Sequence, residues 1–127
     1  MKEFASIELL LFQNKRTEAL LQFEQMHQNY PGHSLTDEIF WKMANINMEL
    51  GNFDKALTQL DEIVTNFNGD ILGDDAYFLQ GQIYQEQLGD EVKAMEIFND
   101  FLLKYPGSVY TAEARKRFRQ LRGDNIF

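Results

Sequence analysis

The side chains that could carry chemistry are few and scattered. His27 and His33 are the only histidines. A metal site needs three or four convergent ligands. These two fall in different contexts, one late in a helical stretch and one in a link, so neither metal binding nor acid–base catalysis is expected of them. Cysteine is absent, which excludes disulfides, thiolate zinc ligands and thiol nucleophiles without naming a compartment. Asn68-Gly69-Asp70 followed by Asp74 has a superficial likeness to a calcium loop. Counted from Asn68, however, the twelfth position is Leu79 and not the Glu such a loop needs. Asp74 and Asp75 sit where a helix starts and read as N-capping carboxylates. Neither of the glycine-rich loops that cradle phosphates is present, nor the nucleophile elbow of serine hydrolases. Arg122-Gly123-Asp124 spells an adhesion tripeptide, but Gly123 has a simpler role as a helix stop. With no nucleophile, base and oxyanion donors at usable spacing, the chain is not expected to be an enzyme. No cofactor and no metal are expected either.

Two features remain that could recognise a partner. Trp41 is the only Trp, and an exposed Trp is a natural binding anchor. Arg115, Lys116, Arg117, Arg119 and Arg122 form the one basic cluster. Residues 111–127 are net +3 while residues 1–110 are net −11, giving the overall charge of −8. So acidic a chain is poorly suited to phosphate backbones, and nucleic acid is not expected as a partner. The basic cluster reads as a solvated helix, with an anionic partner or lipid headgroup as the sharper alternative. The longest apolar run, residues 9–12, is far short of the roughly 20 residues of a membrane span. Residues 1–13 lack the pattern of a secretory leader.

The elements that position these residues repeat. Three segments offset by 37 and then 38 residues align Ala19, Ala56 and Ala94; Leu20, Leu57 and Met95; Phe23, Leu60 and Phe98; and Met26, Ile63 and Phe101. Their ends align as Tyr30, Phe67 and Tyr105, then Pro31, Asn68 and Pro106, then Gly32, Gly69 and Gly107. Ala19, Phe23 and Met26 are spaced i, i+4, i+7, a single apolar stripe of a helix. A leading helix precedes each of the last two blocks. One of its stripes is Leu35, Ile39, Met43, Ile46, copied as Leu72, Ala76, Gln80, Ile83. Another is Phe40, Ala44, Asn47, copied as Tyr77, Gly81, Tyr84. Two apolar stripes mean a helix packed on two sides, as in a stacked array. The turns between paired helices fall at Asn14, Gly51 and Gly89, with one extra residue before Gly89. The spans expected are about 2–13, 15–29, 35–50, 53–67, 72–88, 90–104 and 108–121.

Tyr77, Gly81, Tyr84, Gly89, Ala94, Phe98 and Pro106 stand at the spacings of a tetratricopeptide repeat, and the chain resembles that family along nearly its whole length. The second repeat shows Phe40, Ala44, Gly51, Ala56, Leu60 and Asn68 in those places; the first keeps Ala19, Phe23 and Pro31. The period exceeds the family's, which is about 34. Links reading Tyr30-Pro31-Gly32-His33-Ser34 and Tyr105-Pro106-Gly107-Ser108 look like the variant found in bacterial cell-envelope proteins. The resemblance implies an all-α, right-handed α-α superhelix: three helix pairs plus a C-terminal capping helix. It implies one tetratricopeptide-like domain over 1–127, with repeat one at 1–31, repeat two at 35–68, repeat three at 72–106 and the capping helix at 108–122. It also implies a protein-interaction or scaffold module that binds a peptide or partner protein through its concave face. By register that face carries Glu38, Trp41, Asn45 and Met48 in repeat two, Asp75, Phe78, Gln82 and Gln85 in repeat three, and Phe4, Glu8 and Leu11 in repeat one. The partner-binding positions expected are Trp41, Asn45, Met48, Phe78, Gln82 and Gln85.

Both ends of the array have a reading. The last helix keeps the first stripe as Tyr110, Ala114, Phe118 and Leu121, but its second stripe is Arg115, Arg119 and Arg122. A polar outer face suits a terminal cap. At the other end Lys2, Ser6, Leu9 and Gln13 form a mostly polar edge, while Phe4, Leu11 and Phe12 lack obvious cover. The chain therefore reads as the C-terminal repeats of a longer protein. The alternative function is structural: capping such an array, or self-association as a homodimer through the N-terminal edge. The links favour the periplasm or cell envelope over the cytoplasm; nothing else in the sequence bears on location.

Overall fold

A computed structural model describes residues 2–29, 36–66 and 72–123. Seven α-helices run through them: α1 (Lys2–Phe12), α2 (Arg16–Asn29), α3 (Thr36–Glu49), α4 (Phe53–Asn66), α5 (Leu72–Gln82), α6 (Glu91–Lys104) and α7 (Thr111–Arg122). A five-residue π-helical turn, Ile83–Gln87, continues α5. The expected all-helical repeat fold is the one observed, and with the π-helical turn counted as part of α5, six of the seven expected helices begin and end within about two residues of the observed ones. The expectations for residues 30–35 and 67–71, the calcium-like stretch and His33 among them, lie outside the described residues. So do residues 124–127.

The helix pairs turn where a left-handed residue falls. Asn14 has φ 61°, Gly51 79° and Gly89 65°. In the first two turns the chain closes with the paired bonds of a Schellman cap. Lys15 N–H donates to Leu10 C=O and Asn14 N–H to Leu11 C=O; Asn52 N–H donates to Asn47 C=O and Gly51 N–H to Met48 C=O. The third turn must absorb the extra residue behind the offset of 38. It does so by widening the helix: Leu88 N–H reaches back five residues to Ile83 C=O, and Asp90 N–H six residues to Tyr84 C=O. Asp90 then caps α6, its carboxylate accepting from Lys93 N–H at 3.1 Å. Gly123 (φ 92°) ends α7, donating to the carbonyls of Arg119 and Gln120.

The chain forms two compact units, Met1–Gln59 and Leu60–Phe127, divided within α4. In the first, α1 packs on α2 and α2 on α3. Ile7, Ala19, Leu20, Phe23, Met26, Ile39, Met43 and Ile46 form its core, with Phe4, Leu10, Leu11 and Phe40 against them. Phe4 and Leu11 thus find cover in their own unit, the Phe4 ring meeting Phe23 edge-on at 5.6 Å. Phe12 does not and stays 87% exposed. In the second unit, α5 packs on α6 and α6 on α7. Phe78, Ala94, Phe98, Phe101 and Ala114 are its centre. The repeat columns are the buried ones: Ala19, Ala56 and Ala94 are wholly inaccessible, as are Phe23, Leu60 and Phe98.

Helix α7 starts at Thr111, three residues later than expected for the last helix. Ser108 explains the delay. Its N–H donates to Tyr105 C=O, its hydroxyl accepts from Tyr110 N–H, and its carbonyl accepts from the Thr111 hydroxyl. Local side-chain bonds of this kind hold a turn against the helix.

Candidate interaction cleft

A cleft of about 250 Å³ opens on the first unit. Leu11 at the end of α1 and Arg16 at the start of α2 line one side. Trp41, Lys42, Asn45, Ile46 and Glu49 of α3 line the other. Steps of one, four, five and eight residues from Trp41 place these five on one broad helix face. The Asn45 amide donates to the Trp41 carbonyl at 2.8 Å, a bond that fixes its side chain along the helix. Two ion pairs bridge the walls: Lys42 Nζ to Glu8 Oε1 at 3.1 Å, and Arg16 to Glu49. All four side chains are more than a third exposed, so neither pair adds much stability. Their effect is electrostatic balance. Each cation in the cleft already faces a carboxylate, and the half-buried Trp41 is the one aromatic residue among its lining.

The structure gathers some of the expected positions and separates others. Trp41, Asn45 and Leu11 meet in the cleft, with Glu8 pairing Lys42 above it. Met48 is half-buried on α3 but is not part of the lining. Phe78, Gln82 and Gln85 belong to the other unit. Phe78 is only 5% exposed. Its ring stacks on Tyr110 at 4.7 Å and 8°, meets Phe98 and Phe101, and lies 5.8 Å from the Arg117 guanidinium. Phe78 therefore anchors α7 and does not offer a free surface. Gln85 Oε1 is likewise engaged, accepting from Arg117 at 2.9 Å; Gln82 is half-buried. Arg16, Lys42, Ile46 and Glu49 were not expected in a site. A signal existed, because one and eight residues from Trp41 flank the same face as four and seven.

Asp74 Oδ1 accepts the Asp75 N–H at 3.0 Å at the start of its own helix, and both carboxylates also reach beyond it. They occupy the third and fourth positions of α5, where negative charge still favours the helix dipole. Their carboxylates reach across to the segment before α7: Ser108 Oγ donates to Asp74 at 2.7 Å and Tyr110 OH to Asp75 at 2.5 Å. The Asp75 hydrogen bond, then burial, push the Tyr110 phenol up to about 12. Tyr77 OH donates to Asp100 at 2.6 Å. Burial first, then that bond, push the Tyr77 phenol far up, and the same bond holds the Asp100 carboxyl below its ordinary value. These groups fasten α5 to α6 and α7. His27 is half-buried with its ring 4.8 Å from Phe40. Among the described residues no three His, Asp or Glu side chains are grouped so as to hold a metal ion, and no helix is long and apolar enough to cross a membrane.

No curated protein sequence matches the chain. The sequence profile described as "Tetratricopeptide repeat" matches residues 38–67 and 75–108, which together make up just over half of the chain. These stretches cover the second and third helix pairs, with their buried columns and their left-handed turns at Gly51 and Gly89. On that match and those columns, the chain belongs to the tetratricopeptide repeat family.

Proposed function

We propose that the cleft between α1, α2 and α3 is the partner-binding surface, and that it takes a peptide or a segment of a partner protein. Tetratricopeptide repeats in general mediate protein–protein interaction or scaffolding and are typically non-catalytic. What points to this cleft is Trp41: the chain's single Trp stands only half-buried between two matched ion pairs. A ring so placed offers apolar contact area at small entropic cost. The balanced rim favours a partner that brings a bulky apolar side chain and little net charge. Selection of random displayed peptides on the full chain tests the idea. Selected peptides should shift Trp41 emission and bind Trp41→Ala at least about tenfold more weakly, a typical loss for a central aromatic anchor. Peptides that bind the variant equally well, with Trp41 emission unmoved, would sink it.

A second reading rests on a different observation. Phe12 is 87% exposed, and Leu9 and Leu21 on the same helix pair are 56% exposed each. These residues favour self-association through the N-terminal edge. Light scattering on the full chain and on Phe12→Glu distinguishes the two. A dimer lost in the variant supports self-association; a monomer in both removes this second reading.

A further inference from the structure

In repeats two and three, second-stripe residues of the leading helix hold its partner helix, and α7 has turned that stripe into arginine. In repeat two, the stripe's Asn47 is wholly buried and its amide donates to Gln59 of α4 at 2.8 Å. In repeat three, Tyr77 donates to Asp100 of α6, and Gly81 lets α6 approach so closely that an added Cβ would lie 2.6 Å from the Phe98 ring. By register the corresponding residues of α7 are Arg115, Arg119 and Arg122. The first stripe of α7 does what its counterparts do, with Ala114 wholly buried and Tyr110, Phe118 and Leu121 packed on the core. Its second stripe faces outward. Arg115, Lys116 and Arg119 are exposed, and Arg122 is exposed with its guanidinium 5.0 Å from the Phe118 ring. Arg117 turns inward, held by Glu86, Glu113 and Gln85.

We propose that this outer face of α7 docks an acidic helical segment of a partner protein, laid where the second helix of a fourth repeat would pack. The charge pattern carries the choice. In repeat three this position is answered from the facing helix by a carboxylate, Asp100 to Tyr77. With Arg in place of Tyr, the complementary residue is again acidic, now as an ion pair. With Arg119 where Gly81 and Ala44 stand, a tightly packed apolar helix is excluded, and the contact runs through guanidinium groups at a wider spacing. The patch is local: residues 1–110 carry net −11 against net +3 for residues 111–127. The strongly negative net charge of the rest of the chain disfavours an extended polyanion, whether nucleic acid or an anionic bilayer, more than a short acidic helix that carries few charges.

The test uses the full chain and a synthetic alanine-rich helical peptide with Glu at i, i+4 and i+7 along one face. Its control has the same composition with Glu spread round the helix. The striped peptide should bind on the order of tenfold more tightly than the control and weaken as salt rises. The double change Arg115→Glu and Arg119→Glu should abolish the preference, and Arg115→Ala with Arg119→Ala should weaken it with unchanged helical circular dichroism. Trp41→Ala should leave it intact, which separates this surface from the cleft. Equal binding of the two peptides overturns the proposal, as does indifference to the arginine changes. Tighter binding to a DNA duplex or to phosphatidylserine vesicles than to the striped peptide assigns the face to that polyanion and overturns it too.

Discussion

Gly81 shows what one missing carbon permits. A Cβ there would lie 2.6 Å from Phe98 Cε1 and 2.8 Å from its Cζ, and the ring it would meet is wholly buried. Gly81→Ala should therefore force α5 away from α6 and destabilise the chain by roughly 1–3 kcal/mol, as overpacking does. Denaturant melts check this; an unchanged midpoint would mean that the ring moves freely. Tyr110 supplies a different test. Its hydroxyl is bound to Asp75 and its phenol is pushed up to about 12, whereas an unfolded tyrosine ionises near 10. The folded state holds this proton more tightly, so the contribution is complete below about pH 10 and is lost as pH rises from there to about 12. Between those values the melting temperature of the wild type should fall more steeply than that of Tyr110→Phe. Parallel curves would contradict the bond. Gly81 was legible in the sequence as the copy of Ala44 in the leading-helix stripe. The role of Asp75 was not, because a carboxylate in a first turn looks the same whether it caps its own helix or fastens another.

At the scale of elements, the repeat columns were legible because burial enforces them. A position that faces two neighbouring helices must stay apolar and of fixed size, so Ala19, Ala56 and Ala94 recur. The turns were legible because each needs a left-handed residue, met by Asn14, Gly51 and Gly89. The π-helical turn was visible only as an extra residue in the spacing. Sequence does not say whether such an insertion lengthens a loop or widens a helix. Here it widens α5 at Ile83–Gln87, the stretch that presents Gln85 and Glu86 to Arg117. Deleting the exposed Gln87 restores the spacing of the second repeat and moves those two acceptors off Arg117. Arg117→Ala should then lose most of its effect on stability in the deletion background. A double-mutant cycle by denaturant melting measures this coupling; additive effects would show that the π turn does not position the clamp.

Over the whole molecule, family membership and surface chemistry separate cleanly. The matched repeats account for the architecture, but the surfaces proposed to recognise partners are the departures from the pattern. Trp41 and the two ion pairs beside it occur once. So does the arginine stripe of α7, on a chain otherwise strongly acidic. Register alone placed Trp41 and Phe78 at equivalent positions, and they behave differently because their neighbours differ. Tyr110 and Arg117 cover Phe78, while Trp41 keeps part of its surface open beside a cleft. Sequence spacing shows which face a side chain occupies but not which neighbour comes to rest on it.

The claim that matters most is that partners enter the cleft at Trp41. Its most direct test is a map of amide and indole NMR shifts as a display-selected peptide is added to the full chain. The largest shifts are predicted at the Trp41 indole and at Leu11, Asn45 and Glu49, with residues of α5 and α6 unmoved. A bound peptide that leaves the Trp41 indole in place and shifts residues elsewhere would contradict it.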